Sequence, residues 1–299
     1  MKRTLTGFDA FSKMISATLP EKTKTYTPIA HMHIVNRVRS EIRNAGFSIV
    51  TESFKCSQDG MVALGSMMIN YKADPDLVLA ANFVNSYNKQ FAFRFSLGAV
   101  DKLTGSYLII DDKRYGSYKR VHKGAADLLA EGKIKDIISG ADEYWSDLLE
   151  VKEDFKKIHM DINSAYQFAA QLFFNKDAIL NTMQLNTIKS IFAKTPDLET
   201  KGLNMYEFHN IIGEALLDAH PSEWLDNQMV LSGFLRDKFP VKLFPPEAEE
   251  SVADVIDTSL DFMQDETDDT YTESYKLPTK EEWEEAHTSN IIDELPWLM

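Results

Sequence analysis

Residues 47–71 read FSIVTESFKCSQDGMVALGSMMINY, and this stretch decides the fold class. Its two halves, Phe47–Cys56 and Met61–Tyr71, are rich in apolar and β-branched residues that alternate partly with polar ones, as half-buried strands do. Asp59-Gly60 between them is a typical hairpin turn. The stretch therefore predicts two antiparallel strands joined by a tight turn.

Three further strand candidates follow the hairpin. They are Leu77–Val84, Phe91–Val100 and Ser106–Asp111, and polar or turn-forming residues separate them. Within the second of them, alternation would place Phe91, Phe93 and Phe95 on one face, which favours a core role for their rings. The sequence thus predicts about five mostly antiparallel strands.

Helical periodicity precedes the hairpin. Thr27 is a candidate N-cap, Pro28 suits the first turn of a helix, and Gly46 is a candidate C-terminal stop. The apolar positions of this helix are Ile34, Val35, Val38 and Ile42. A shorter amphipathic helix is predicted near the start of the chain, around Phe8, Phe11, Met14 and Ile15.

The period becomes helical again in the second half. Helices are predicted near residues 119–139, 141–158, 161–174, 177–194, 204–219 and 222–238. Beyond Pro245 and Pro246 the chain is too acidic and too poor in apolar residues to pack, which predicts disorder. The fold class is therefore α+β, with an N-terminal helix and about five strands, then a helical region and an acidic tail. The predicted domains are 1–118 (basic, α+β), 119–244 (helical, packed on or beside the first) and 245–299 (the tail).

Composition is that of a soluble globular protein: 44% of the 299 residues are hydrophobic and 26% are charged. No apolar run approaches the roughly 18 residues that span a bilayer, and the first residues contain no signal-peptide core. Cys56 is the single cysteine, which excludes an internal disulfide and a cysteine-based zinc site. We therefore expect a cytoplasmic protein without membrane contact.

Charge is distributed unevenly along the chain. Residues 1–125 hold 18 Lys and Arg against 10 Asp and Glu, whereas residues 245–299 hold 2 against 17. The tail therefore accounts for the overall charge of −14, and the first part of the chain is basic. Such asymmetry is typical of proteins that bind nucleic acid or regulate access to a basic surface.

Basic and aromatic residues interleave in two stretches of the basic part. Single-stranded nucleic acid needs this mixture, because cations hold the phosphates and flat rings stack on the bases. The first stretch provides Tyr87, Lys89 and Arg94. The second provides Lys113, Arg114, Tyr115, Tyr118, Lys119, Arg120 and Lys123, and its alternative interpretation is a solvated helix start.

The acidic tail ends in an apolar cluster made by Ile291, Ile292, Leu295, Trp297, Leu298 and Met299. An acidic linker with an aromatic tip resembles the C-terminus of single-stranded-DNA-binding proteins from bacteria and T7-like phages. That resemblance implies that the acidic stretch competes with DNA and that the tip docks replication partners. A tethered polyanion has a high effective concentration at a cationic site, which makes the competition physically plausible. The alternatives are a solubilising tail or a mimic of DNA.

Signals for catalysis and cofactors are poor. The chain has no phosphate loop, no dinucleotide-binding glycine pattern and no paired-histidine metalloprotease motif. Of the seven histidines only His31 and His33 are close in sequence, and two positions apart on a helix they do not share a face. The sequence therefore predicts neither an enzyme nor a metal or other cofactor.

Residues 25–240 resemble the phage/plasmid-like protein family, whose members carry a domain of unknown function. The matching stretches are YTPIAHMHIVNRVRSEIRNAGFSIV, FVNSYNKQFAFRFSLGA and YGSYKRVHKG, and the best-matching positions are Asn85, Ser86, Lys89, Phe91 and Ala92. The chain departs from the family where Asp101-Lys102-Leu103 replaces a cysteine-containing stretch. The resemblance implies a phage or mobile-element origin and no particular activity.

Together these features predict a non-catalytic phage protein that binds single-stranded DNA or assists strand annealing in the host cytoplasm. The cations of the two stretches would hold phosphates, Tyr87, Tyr115 and Tyr118 would stack on bases, and the tail tip would bind a replication or host protein. An alternative is an anti-defence protein that inhibits a host complex by direct protein binding. A homo-oligomer is compatible with both.

Overall fold

The computed structural model of the chain describes residues 4–89, 91–110, 117–123, 126–176, 178–195, 198–238 and 279–287. The strands of its main sheet are all paired antiparallel, as the predicted hairpin requires. They are β1 (Thr4–Thr6), β2 (Ser48–Ser57), β3 (Val62–Asn70), β4 (Leu77–Ser86), β5 (Phe93–Asp101), β6 (Tyr107–Leu108) and β7 (Ser117–Arg120). Strands β1 to β5 are neighbours in chain order, and β6 and β7 share the far edge of β5.

The described helices fall into groups before and after this sheet. They are α1 (Gly7–Ser16), α2 (His31–Asn44), α3 (Ala126–Ser139), α4 (Ala141–Lys157), α5 (Ile162–Phe174), α6 (Thr182–Lys194), α7 (Leu198–Lys201), α8 (Met205–Leu216), α9 (Pro221–Lys238) and α10 (Lys280–His287). A small second sheet pairs β8 (His159–Met160) with β9 (Leu203–Asn204).

One face of the main sheet, here called the aromatic face, packs against α1 to α4. Fully buried rings of Phe54, Phe83, Phe93 and Phe95 lie on it, within one apolar cluster that also contains Trp145 of α4. Gly65 makes room for two of these rings, since a Cβ at this position would lie 2.3 Å from the Phe83 ring and 3.1 Å from that of Phe54. The predicted core role of Phe93 and Phe95 is confirmed.

The opposite face, here called the α9 face, packs against α9. Trp224 and Leu225 of α9 join a second apolar cluster, in which the Tyr107 ring meets that of Trp224 at 4.4 Å. A polar row crosses this face, because its members lie directly opposite one another in the strand register. The members of this row are Ser53, Ser66, Asn82, Ser96 and Ser117.

The predicted α+β class and the hairpin are confirmed, and four local predictions differ from the structure. Helix α2 begins at His31 and not near Thr27, because the backbone is still extended at Ala30, which is the N-cap (φ −64°, ψ 135°), and the Thr27 amide donates to the His122 carbonyl at 3.0 Å. A helix was predicted from about residue 119, but Ser117–Arg120 form β7 against β5 and α3 begins only at Ala126. Strand β1 was not predicted. Helix α10 lies within residues 245–299, which the sequence assigned to a disordered tail.

The boundary predicted between residues 118 and 119 falls inside β7. Apolar residues from both sides of it share one buried cluster, in which Leu97 of β5 and Leu148 of α4 both take part. No described helix is long and apolar enough to cross a membrane.

Candidate nucleic-acid interface

Strand β7 divides its side chains between the two faces of the sheet. Lys119 lies opposite Arg94 of β5, so both point to the α9 face. Tyr118 and Arg120 point the other way, where the Tyr118 ring meets that of Phe93 at 6.2 Å in edge contact. The side chains of the predicted basic-aromatic cluster therefore lie on both faces of the sheet at its edge. Burial raises the pKa of the Tyr118 hydroxyl.

A second group of residues meets β7 at the same end of β5. Thr23 and Tyr26 form a bridge that encloses Lys24 in a tight turn. The Tyr26 hydroxyl donates to the Tyr87 carbonyl at 3.0 Å, and the Lys89 ammonium lies 4.6 Å from the Tyr26 ring centre. The turn, the loop that carries Lys89 and β7 thus bring cations from three segments to one edge, here called the basic edge.

Buried contacts of His31 hold Tyr87 and the neighbouring backbone of the basic edge in place. Its Nε2–H donates to the Gly60 carbonyl at 3.1 Å, so its Nδ1 is left to accept from the Asn85 amide at 3.0 Å. The His31 ring stacks on that of Tyr87 at 3.8 Å, and its backbone N–H donates to the Tyr87 hydroxyl at 2.8 Å. Burial lowers the pKa of His31 to about 4, so the ring is neutral near pH 7.

His122 lies next to the Tyr26 ring, with centroids 5.7 Å apart. Its side chain is buried, and neither ring nitrogen has a hydrogen-bond partner in the described part of the chain. Burial lowers the pKa of this imidazole, which keeps it uncharged beside the neighbouring cations. An imidazole in this state can donate or accept one hydrogen bond without adding charge.

Five cations of the basic edge have no carboxylate partner among the described residues: Lys24, Lys89, Lys119, Arg120 and Lys123. Arg94 differs, because it forms an ion pair with Asp226 of α9. Lys89 also has a φ of 62°, a left-handed backbone that a lysine rarely adopts. A protein surface usually intersperses opposite charges, so unpaired cations at one edge point to an anionic partner.

The structure brings together Lys89, Arg94, Tyr118, Lys119, Arg120 and Lys123 at or beside the edge. Tyr87 is there too, but it is only 4% exposed and His31 already covers its ring. Sequence analysis missed Lys24 and Tyr26, whose only local signal was a polar turn far from the other residues in sequence. The remaining predicted residues lie outside the described part of the chain. They are Lys113, Arg114, Tyr115, Ile291, Ile292, Leu295, Trp297, Leu298 and Met299.

One concave region of the protein has an acidic lining. A groove of about 1530 Å³ between the β2–β3 turn and the loop before α9 is lined by Asp59, Asp218 and Glu223, and by no lysine or arginine among the described residues. This groove would repel a phosphate backbone. Among the residues that the structure describes, no cluster of His, Cys, Asp and Glu could hold a metal ion.

Comparisons with protein-family models, with curated proteins and with solved structures gave no match. The resemblance to the phage/plasmid-like family therefore stays a prediction.

Proposed function

We propose that the chain binds single-stranded nucleic acid along the basic edge, as a non-catalytic protein. The observation that supports this most directly is the set of cations that have no carboxylate partner in the described part of the chain, contributed by the loop after β4 and by β7 with the residues that follow it. Phosphates of one strand would lie across Lys89, Lys119, Arg120 and Lys123. Single-stranded DNA is the expected ligand, and a phage origin and a role in replication or annealing belong to the same proposal.

The edge favours a flexible single strand over a rigid duplex. Its cations lie on both sides of one short strand, since Lys119 and Arg120 point to opposite faces of the sheet. A single strand can bend around such an edge, whereas a duplex presents its phosphates on a fixed cylinder. Tyr118 lies on the same face as Arg120, and the exposed part of its ring would contact a base.

The acidic tail adds a competitor to this proposal. Residues 245–299 hold 17 Asp and Glu, and they are tethered to a body whose basic edge attracts anions. The tail would lower the apparent affinity for nucleic acid until the nucleic acid displaces it. The apolar tip would then meet a replication or host protein, as its resemblance to single-stranded-DNA-binding proteins implies.

The test is the fluorescence anisotropy of a labelled single-stranded oligonucleotide, titrated with the full chain at several salt concentrations. Replacing Lys119, Arg120 and Lys123 together by glutamine should weaken binding and reduce the slope of log affinity against log salt by about 2, since each phosphate contact in a single strand contributes about 0.7. A matched control variant replaces three exposed lysines on or beside α5 and α6, namely Lys176, Lys189 and Lys194, by glutamine. It removes the same amount of positive charge away from the basic edge.

Two results would contradict the proposal. One is the absence of binding by the full chain and by a chain that ends at Phe244. The other is an equal loss in the edge variant and in the control variant, because that would show an effect of net charge and not of the edge.

A further inference from the structure

The groove between the β2–β3 turn and the loop before α9, here called the acidic groove, also has an apolar part. Buried Ile179 and Leu180 line it, and so does Phe91 of the loop after β4. Met183, in the first turn of α6, lines it as well and is 43% exposed. Exposed apolar surface that adjoins polar groups is typical of a site where another protein docks.

Two carboxylates of the acidic groove are available to a partner. Asp218 and Glu223 are exposed, and neither forms an ion pair within the described part of the chain. Lys55 attracts Asp218 through space, but its ammonium donates to the Leu217 carbonyl at 2.5 Å and makes no ion pair with the carboxylate. The groove thus offers negative charge beside apolar surface, which suits a partner that presents cations beside an apolar side chain.

A segment of the basic edge has this complementary character. The Lys123 amide donates to the Val121 carbonyl at 2.8 Å, which closes a tight turn around His122. The His122 side chain is buried, whereas Val121 and Lys123 on either side of it are exposed, Val121 to 59%. Lys119 and Arg120 precede the turn, so residues 119–123, here called the edge turn, present an exposed valine among cations. Binding of nucleic acid would use these cations but gives no role to Val121.

The acidic groove and the basic edge are neighbours in the molecule. Asn88 and Phe91 of the loop after β4 line the groove, and Lys89 of the same loop belongs to the basic edge. A surface that carries two complementary patches side by side is self-complementary when a second copy is related to it by a two-fold axis. A second copy of the chain is therefore a partner that fits both patches at once.

We propose that the edge turn of a second copy occupies the acidic groove, and that two copies pair reciprocally in this way about a two-fold axis. The partner's Val121 lies on the apolar part of the groove, and the lysines of its edge turn face Asp218 and Glu223. The pairing uses cations that the proposed function assigns to nucleic acid. A bound strand and a second copy therefore exclude each other at the basic edge.

Sedimentation equilibrium of the full chain, without nucleic acid, tests the pairing. At low salt the mass should approach twice the 34.0 kDa of one chain as the concentration rises, and added salt should favour the monomer, since it screens exposed charges. Val121→Ser should weaken the pairing about tenfold or more, because each dimer loses the burial of two valines but no charge. Val230→Ser is the matched control and should pair like the wild-type chain, since Val230 is another exposed valine, at 40%, on α9 and outside the groove lining.

Two charge variants identify the surfaces that meet. The groove variant carries Asp218→Asn with Glu223→Gln, and the edge variant carries Lys119→Gln with Lys123→Gln. All four side chains are exposed, so neither variant disturbs the core. Each variant alone should pair at least tenfold more weakly than the wild-type chain. An equimolar mixture should recover pairing in part, because the groove of the edge variant can still hold the edge turn of the groove variant.

Three results would overturn the inference: a monomer at every concentration, equal pairing by Val121→Ser and Val230→Ser, or no recovery in the mixture. Failure of the proposed function is distinguishable, because Val121→Ser keeps every cation of the basic edge and should bind a single-stranded oligonucleotide like the wild-type chain. A chain that binds the oligonucleotide but stays monomeric contradicts only the pairing. A dimer that binds no oligonucleotide contradicts only the proposed function.

Discussion

The two faces of the main sheet differ in what they bury. On the aromatic face, Phe54, Phe83, Phe93 and Phe95 are fully buried among the side chains of α1 to α4. On the α9 face, the polar row crosses the same strands, and the amide of Asn82 and the hydroxyl of Ser96 have no partner in the described residues. Buried polar groups without partners are unfavourable, so a face that keeps them is under a constraint other than packing.

The buried polar groups of the α9 face follow one line across the sheet. The polar row ends at Ser117, which lines a cavity between β7 and α9. Arg94 and Lys119 are on this face as well, whereas Arg120 lies on the aromatic face, opposite Phe93. The aromatic face is therefore an apolar core surface, whereas the α9 face carries buried polar groups that lack partners among the described residues.

The largest effect is expected from Phe95→Ala on the aromatic face. The ring is fully buried among well-packed neighbours, so its removal should lower the free energy of unfolding by about 3–5 kcal/mol. Urea unfolding followed by tryptophan fluorescence measures this loss. A loss below about 1 kcal/mol, at an unchanged denaturant slope, would mean that the aromatic face is not the stabilising one.

The second expected effect is a pH dependence of the free energy of unfolding. His31 of α2 and His209 of α8 are both fully buried, and burial lowers the pKa of each from 6.5 to about 4. The unfolded chain therefore binds more protons below pH 6.5, so the free energy of unfolding should fall as pH drops from 6.5 towards 4. The slope should be about 1 kcal/mol per pH unit for each histidine.

Unfolding measured at pH 7, 6 and 5 checks this dependence. His31→Gln and His209→Gln should each lower the slope by about 1 kcal/mol per pH unit, because each removes one group that gains a proton on unfolding, and His122 contributes to the remaining slope in the same direction. Stability that rises between pH 7 and pH 5 would show that the sign is wrong.

Much of the sheet could be predicted because its signals are local. Asp59-Gly60 fixes a hairpin by its own backbone preference, and the alternation around Phe93 and Phe95 marks the buried face of β5 without knowledge of its neighbours. The boundaries of α4, α5 and α9 were also close to those predicted, since proline, glycine and polar caps mark helix ends.

The rest depended on contacts between distant residues. Strand β7 is four residues of mostly polar sequence, and only its pairing with β5 makes it a strand. The hydrogen bonds of His31 with Asn85 and Tyr87 connect the start of α2 to the end of β4, which is 54 to 56 residues away in sequence. Helix α10 is short and acidic, and its Trp283 ring contacts Phe8 and Phe11 of α1, which are more than 270 residues away in sequence.

A smaller effect is expected from Trp283→Ala at the outer side of the aromatic face. The Trp283 ring meets Phe8 at 6.0 Å and Phe11 at 6.4 Å, and α10 otherwise presents mainly glutamates. Because this helix is a single short element at the periphery, its loss should lower the global free energy of unfolding by about 1 kcal/mol or less. Hydrogen exchange should nevertheless show that the α10 amides lose their protection. Protection equal to that of the wild-type chain would show that Trp283 is not the anchor.

The smallest effect, and the sharpest contrast between the faces, is expected from Ser96→Ala. Ser96 is the neighbour of Phe95 and points to the α9 face, where its buried hydroxyl has no partner among the described residues. Removing an unsatisfied buried hydroxyl should leave stability unchanged or raise it by up to about 1 kcal/mol. Ser66→Ala in the same polar row should instead be destabilising, because the Tyr107 hydroxyl donates to Ser66 at 3.0 Å and would lose its acceptor. If both serine variants lose stability equally in urea unfolding, Ser96 has a partner such as a buried water, and the polar row is a satisfied network.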